Sequence, residues 1–413
     1  MMNNYYTSIE LGSDTIKILV CNKVDNKFHL IASVSSPSAG IKKGRIIDSR
    51  KAVGSVKKTI KKISDMLGVK IEKAIACIPT NDCCMDIVVG EIEIEDHQEI
   101  TGRDITMVIK DALKGKVDDD QEVVTVMPIS FKIDSEDGIK DPKGLQGETL
   151  GIKALITTSP KEYLYEYLQV LKLGGIDVVD ICYTATGDYF EAKNEKIDKS
   201  VSALINIGEE STSISVYNKG IMIKNKIINV GSVNIDKDIT YIFKTSLNDS
   251  RSLKENFIVA SSKYADINEI KTMVLDSGEK RELNQLELSK VVEARLVEIL
   301  KIAKNELKNL TKREIRYIIV TGGVSELAGF QYIIEDVLGI KARVCNITTM
   351  GVRHNKYSST LGSIKYFDEK LTLRGNKTNM LKESDITKLI SVNQSKETSD
   401  NIMNKVFGRF FEN

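Results

Sequence analysis

Two segments of this 413-residue chain combine glycine, hydroxyl and carboxylate groups in a spacing that can grip an anion. SIELGSDTIKILV runs from Ser8 to Val20, and LINIGEESTSISV from Leu204 to Val216. Each alternates apolar and polar residues up to a glycine, passes through small polar residues and resumes the alternation. That pattern predicts two β-hairpins with polar turns. Backbone N–H groups in such turns point at a bound anion, and glycine lets the chain come close. The candidate contacts are Gly12, Ser13, Asp14 and Thr15 in the first turn, and Gly208, Ser211 and Thr212 in the second. A polar residue stands two positions before each glycine: Glu10 and Asn206. A third segment, IRYIIVTGGVSELAGF from Ile315 to Phe330, reads as a strand, a Thr-Gly-Gly turn and a helix with Ser325 as N-cap. Gly322, Gly323 and Val324 would let backbone lie against a flat ring or a phosphate. Hairpin, hairpin and turn form a nucleotide cradle, with a triphosphate clamped between two related halves.

These turns need scaffolding. Val53, Val56, Ile60, Ile63 and Met66 or Leu67 keep a helical period over residues 49–67, with lysines opposite. Tyr163, Leu164, Tyr167, Leu168 and Leu171 mark a second helix over 161–173. Between them, IVVGEIEI reads as an alternating strand, Ile105–Leu113 as a helix, and further strands follow. These periodic stripes are core faces.

Composition narrows the classes. Hydrophobic residues are 41% and charged residues 28%, the balance of a globular chain of two or more domains. A net charge of +1 argues against a strongly basic nucleic-acid surface, so no nucleic-acid partner is expected. Three histidines and six scattered cysteines without CxxC show no metal-ligand cluster. Cys83 and Cys84 read as small buried residues rather than a redox pair. No apolar run approaches the ~20 residues of a membrane span. MMNNYYTSIELG lacks the regions of a signal peptide, so the expected location is cytoplasmic.

Residues 399–413 read as an amphipathic helix. Ser399 and Asp400 offer N-cap oxygens, and Ile402, Met403, Val406, Phe407, Phe410 and Phe411 share one stripe. Gly375 to Thr398 is polar and reads as a flexible tether. Such a helix suits a membrane interface or a partner groove. Full burial of the six apolar side chains releases at most on the order of 10 kcal/mol. Membrane contact is expected from Ile402, Met403, Lys405, Val406, Phe407, Arg409, Phe410 and Phe411. Salt dependence should be modest, because Asp400 and Glu412 offset Lys405 and Arg409.

The two hairpins and the Thr-Gly-Gly turn resemble the phosphate-1, phosphate-2 and adenosine motifs of the actin-like ATPase superfamily. NVGSVNIDKDI, Asn229 to Ile239, resembles its first connecting motif and brings in Gly231. Other strings resemble one branch, the FtsA family of bacterial cell-division proteins: SAGIKKGRIIDSRKAVGSVKKTI (Ser38–Ile60), EITGRDITMVIKDA (Glu99–Ala112), MPISFKIDSEDGIKDPKGLQGETL (Met127–Leu150) and VVEARLVEILKIAKNEL (Val291–Leu307). The resemblance implies an α/β, actin-like two-lobed fold with four subdomains, one of them inserted, and an amphipathic helix on a flexible linker. The implied ranges are 1–86 and 162–197 for subdomain 1A, and 87–161 for the inserted 1C. Residues 198–235 and 310–365 form 2A, 236–309 form 2B, 366–398 the linker, and 399–413 the targeting helix. It further implies ATP and Mg²⁺ as ligands, self-association into filaments, and attachment of the FtsZ C-terminal peptide to the membrane at the division septum. Lys290 and Arg295 are the implied partner contacts, although Arg295 could equally pair with Glu298 at helical spacing. Later division proteins are further implied partners. A pilus-assembly homologue or a sugar-kinase-like enzyme is the alternative on the same fold.

The chain departs from the superfamily pattern at the chemistry. Aspartate is expected at both hairpin positions, where Glu10 and Asn206 stand. Glu10 keeps the charge and is a weak candidate for Mg²⁺; Asn206 can neither attract the ion strongly nor take a proton. Glu209 replaces a second glycine, with Glu210 following. In SRSLK, Ser250 to Lys254, Arg251 stands where glutamate is expected, while Lys254 matches. Lys17 matches a phosphate-contacting lysine. These departures predict weak nucleotide binding and slow or absent turnover, with ATP as a structural ligand.

Overall fold

A computed structural model describes residues 4–94, 99–274 and 280–389. Along the chain, β1 (Asn4–Leu11), β2 (Thr15–Val24) and β3 (Lys27–Pro37) form a meander, followed by the short pair β4 (Ile41–Lys42) and β5 (Arg45–Ile46). Helix α1 (Ser49–Leu67) and β6 (Lys73–Ile78) complete this part. Next come β7 (Cys84–Glu93), α2 (Gly102–Leu113), β8 (Gln121–Ile133), β9 (Glu136–Ile139) and β10 (Thr149–Pro160). Then α3 (Lys161–Gly174), β11 (Asp177–Tyr183), α4 (Thr184–Ala192) and α5 (Glu195–Asp198) return to the first lobe. The second lobe opens with β12 (Val201–Ile207), β13 (Thr212–Asn218) and β14 (Ile221–Ile228), then α6 (Ser232–Phe243) and α7 (Leu247–Asn256). It continues through β15 (Ile270–Val274), β16 (Lys280–Asn284), α8 (Gln285–Leu310), β17 (Tyr317–Thr321), α9 (Phe330–Leu338) and β18 (Ala342–Val344), and α10 (Ser358–Leu373) then packs back on β1 and β6 of the first lobe.

The two lobes repeat one topology. The first sheet runs β11-β6-β1-β2-β3 and the second runs β14-β13-β12-β17-β18. In each, an antiparallel meander continues into parallel strands: β1 pairs parallel with β6, and β12 with β17. The registers also correspond, Glu10 lying opposite Lys17 and Asn206 opposite Ser213. The sequence repeat is therefore a structural repeat. The insertion forms its own four-stranded sheet, β7-β10-β8-β9, with α2 burying Ile105, Val108, Ile109 and Ala112 against it. Gly90 permits this approach, since a Cβ there would lie 2.5 Å from the Ala112 nitrogen.

Local signals explain the elements. Asp48 caps α1 by accepting from the Lys51 N–H, and Gly68 ends it at φ 69°. The buried face is Ala52, Val56, Thr59 and Ile63, while Met66 is exposed. Ser325, expected to cap a helix, instead sits in a 3₁₀ turn and donates to the Gly322 carbonyl at 2.7 Å. Gly329, at φ 78°, separates that turn from α9. Cys84 is exposed rather than buried; burial pushes the Cys83 thiol up to about 12.

Helices α4 and α10 cross between the lobes at a pair of glycines. A Cβ on Gly362 would sit 1.6 Å from the Gly187 carbonyl oxygen, and one on Gly187 would sit 2.1 Å from the Ser359 oxygen. Only backbone fits at this crossing.

The stretch read as a linker differs from its expectation over 366–389. Residues 366–373 complete α10, and the Met380 N–H donates to the Tyr5 carbonyl at 3.0 Å. Met380, Leu381 and Leu389 are buried against the first lobe. A few apolar residues in a polar stretch suffice to dock it. The helix expected at 399–413, with all eight membrane contacts, lies outside the described residues. Among those described, no helix is long and apolar enough to cross a membrane.

Candidate functional site: the interlobe cleft

The strand ends put polar turns at the mouth of the cleft. In the β1–β2 turn the Gly12 N–H donates to the Thr15 carbonyl at 3.1 Å, and in the β12–β13 turn Gly208 donates to Ser211 at 3.0 Å. Gly231 closes against the second turn, where a Cβ would lie 2.4 Å from the Glu209 oxygen. Gly322, at φ 100°, lies against the Ile207 carbonyl and Asn206; neighbouring Gly323 faces open space. Val324 is buried behind them. The structure therefore brings together the three glycine turns expected from sequence.

Several expected contacts are engaged within the protein. Glu10 is almost fully buried, and its Oε1 accepts from Lys17 at 2.6 Å. Its Oε2 accepts from Ser359 and Thr360 at 2.5 and 2.9 Å. Burial works to lower the Lys17 pKa, but the Glu10 charge and hydrogen bond outweigh it and leave it raised. Ser13 accepts from the Gly44 N–H at 3.0 Å, and the Thr212 hydroxyl donates to the Val230 carbonyl at 2.8 Å. Lys254 is buried and pairs with Asp236 at 2.7 Å.

Asn206 donates to Asp188 Oδ2 at 2.6 Å, and Ser358 donates to Oδ1. Asp188 is buried in α4, and desolvation raises its pKa to about 7 against these two hydrogen bonds. Sequence reasoning missed Asp188 and the hydroxyl run Ser358–Thr360. The sequence signal available was a pair of carboxylates, Asp188 and Glu191, three residues apart in one short helix.

Arg251, read as a departure, joins the two lobes. It donates to Asp14 Oδ1 at 2.8 Å and to Glu209 Oε1, and lies 3.6 Å from Asp236. Glu209 also accepts from Ser232 at 2.8 Å. Beside this bridge, the Lys43 N–H donates to Glu210 at 2.6 Å. Burial raises the Glu209 pKa and nearby Asp14 adds to it, while Ser232 and Arg251 pull it back. The departures at 209 and 251 are therefore complementary: each supplies the other's partner.

The glycine cradle suits a nucleotide. The carboxylates do not suit a directly held Mg²⁺: Glu10 has both oxygens engaged, and Asn206 is neutral and presents its amide N–H to Asp188. No group of three His, Cys, Asp or Glu able to hold a metal occurs among the described residues.

The partner contacts separate. Arg295 forks onto Asp238 at 2.6 and 2.9 Å and also reaches Glu298 at 2.5 Å, so the helical pairing left open by sequence forms. Lys290 is exposed on the same helix.

Two related lobes, each with this sheet order, joined by a close helix pair and facing each other through glycine turns, define an actin-like protein. Solved structures share the fold: the PilM–PilN type IV pilus biogenesis complex superposes with TM-score 0.58 at 13% identity, covering 87% of this chain and 98% of that one. MreB5 of Spiroplasma citri bound to ADP gives 0.54 at 12% identity, covering 90% and 99%. Family models narrow the class. The model "Cell division protein FtsA" matches residues 203–362, and "SHS2 domain inserted in FTSA" matches 85–158. Together they span more than half of the chain. The FtsA of Bacillus subtilis (strain 168) is 29% identical over 398 residues, 95% of this chain and 90% of the relative. That of Streptococcus pneumoniae serotype 2 is 25% identical over 370 residues, 89% and 81%. This chain belongs to the FtsA family of cell-division proteins.

Proposed function

We propose that this division protein binds ATP in the interlobe cleft as a structural ligand, self-associates into filaments, and anchors FtsZ polymers to the cytoplasmic face of the membrane through residues 399–413. The observation that carries the ligand reading is the pair of polar turns meeting across the cleft at Arg251, with the Gly322–Gly323 turn beside them. In place of a directly held metal, the guanidinium supplies a cation between the phosphate-1 and phosphate-2 turns. Turnover is slow or absent, because Asp188 is buried with both oxygens engaged and Asn206 cannot take a proton. The same substitution disfavours a sugar-kinase-like enzyme, and the matched inserted-domain model disfavours a pilus-assembly homologue. Lys290 and the exposed face of α8 are the proposed contacts for the FtsZ C-terminal peptide. Arg295 is the second, once released from Asp238.

The anchoring role is tested by sedimenting full-length protein with lipid vesicles and FtsZ C-terminal peptide, beside a chain lacking residues 399–413. Peptide should pellet with the vesicles only when the full chain is present. Equal pelleting by the shortened chain overturns the anchoring role.

A further inference from the structure

A cavity of about 600 Å³ opens where the inserted subdomain, the interlobe helices and the second lobe meet, apart from the nucleotide cleft. That volume falls within the ~300–1,000 Å³ of ligand pockets. Its aromatic lining is Tyr189 and Phe190 from α4 and Tyr366 from α10, with Met127 and Pro128 of β8 alongside. Tyr189 stacks on Tyr217 with ring centroids 4.0 Å apart, which fixes this wall. Tyr366 is buried, and its hydroxyl has no hydrogen-bond partner among the described residues. A buried hydroxyl left unbonded is costly.

The surroundings are cationic. Lys140, Lys193, Lys199, Lys219, Lys370 and Arg374 line the cavity against only Asp198 and Glu369, in a chain whose net charge is +1. Lys193 pairs with Glu369 and Lys199 with Glu195, each at 2.5 Å, and Lys370 pairs with Asp180. Asp198 accepts from the Tyr189 hydroxyl. The other three cations are uncompensated. Lys140 donates to the neutral Ile129 carbonyl at 2.7 Å, and Lys219 and Arg374 have no anionic partner among the described residues. They come from three separate places: the end of β9, the β13–β14 turn and the end of α10. Charges dispersed this way match several carboxylates along a chain better than one compact anion.

We propose that this cavity binds an acidic peptide segment of a partner protein. Its carboxylates meet Lys140, Lys219 and Arg374, and one aromatic or branched apolar side chain lies on the Tyr189, Phe190 and Tyr366 rings. Since the rings belong to α4 and α10, an occupant touches both helices of the interlobe crossing.

The test is fluorescence anisotropy with the full-length protein and a short labelled peptide, one phenylalanine flanked by aspartates. Saturable binding is expected, weakened roughly tenfold or more by the pair Lys219→Glu and Arg374→Glu and by added salt. The same peptide with lysines for aspartates should not bind. Lys219 is exposed and Arg374 only half-buried, so the variant should melt with the parent; a shared melting temperature makes its loss of binding interpretable. Absent saturable binding, unchanged affinity in the charge-reversed variant, or equal binding of the lysine peptide overturns the proposal. Displacement of the peptide by inorganic phosphate at comparable concentration points to a free-anion site and overturns it too.

Discussion

Arg251 of the second lobe and Asp14 of the first lie 2.8 Å apart across the cleft, and the same guanidinium reaches Glu209. Neither lobe holds this bridge alone. Removing Arg251 leaves Asp14, Glu209 and Asp236 facing one another and any incoming phosphate. Arg251→Ala should therefore weaken ATP binding about tenfold or more. Glu209→Gln in the same chain should recover part of the loss, which a double-mutant cycle by equilibrium titration measures. Strictly additive effects would remove the pairing from the account.

Magnesium dependence follows from the same geometry. With Glu10 engaged by Lys17, Ser359 and Thr360, and Asn206 bound to Asp188, neither of these two hairpin positions offers a free carboxylate to the ion. ATP affinity measured with magnesium and with EDTA should differ by only a few-fold. A phosphate-release assay should show little turnover in either buffer.

Asp188 gives a pH signature. Its pKa is raised to about 7, so the folded state holds a proton that the unfolded chain has released. Stability should fall as pH rises from about 4 towards 7, by at most ~1.4 kcal/mol per pH unit from this group. Asp188→Asn can still accept from Asn206 and face Ser358. Its stability relative to the parent should rise between pH 5 and pH 8 in urea titrations, and a constant difference would contradict the buried-carboxyl assignment.

The α4–α10 crossing is steric. Gly362→Ala would press a methyl group onto the Gly187 carbonyl at 1.6 Å, so the helices must separate. Destabilisation at or above the top of the usual ~1–3 kcal/mol for overpacking is expected by thermal melting. Gly68→Ala, at an open helix end, costs less.

Much of this architecture was legible because it is local. The hairpins around Gly12 and Gly208 announce themselves by alternation and turn chemistry, and α1 by its apolar stripe. The cleft's wiring was not. Arg251 read as a departure because its meaning depends on Asp14 and Glu209, 237 and 42 residues away. Asp188 shares the buried face of α4 with Glu191, so its position alone did not single it out, and its partners Asn206 and Ser358 meet it only after the lobes assemble. The docking of Met380, Leu381 and Leu389 was missed because few apolar residues in a polar stretch carry little periodic signal.

The most direct measurement is an ATP titration of full-length protein beside Gly323→Leu. Gly323 faces open space in the cradle, so a side chain there keeps the fold but fills the ligand's volume. ATP should bind the parent, and the variant should lose at least about tenfold in affinity with its melting temperature unchanged. Equal ATP affinity in the two proteins, or none in the parent, would contradict the assignment of the cleft.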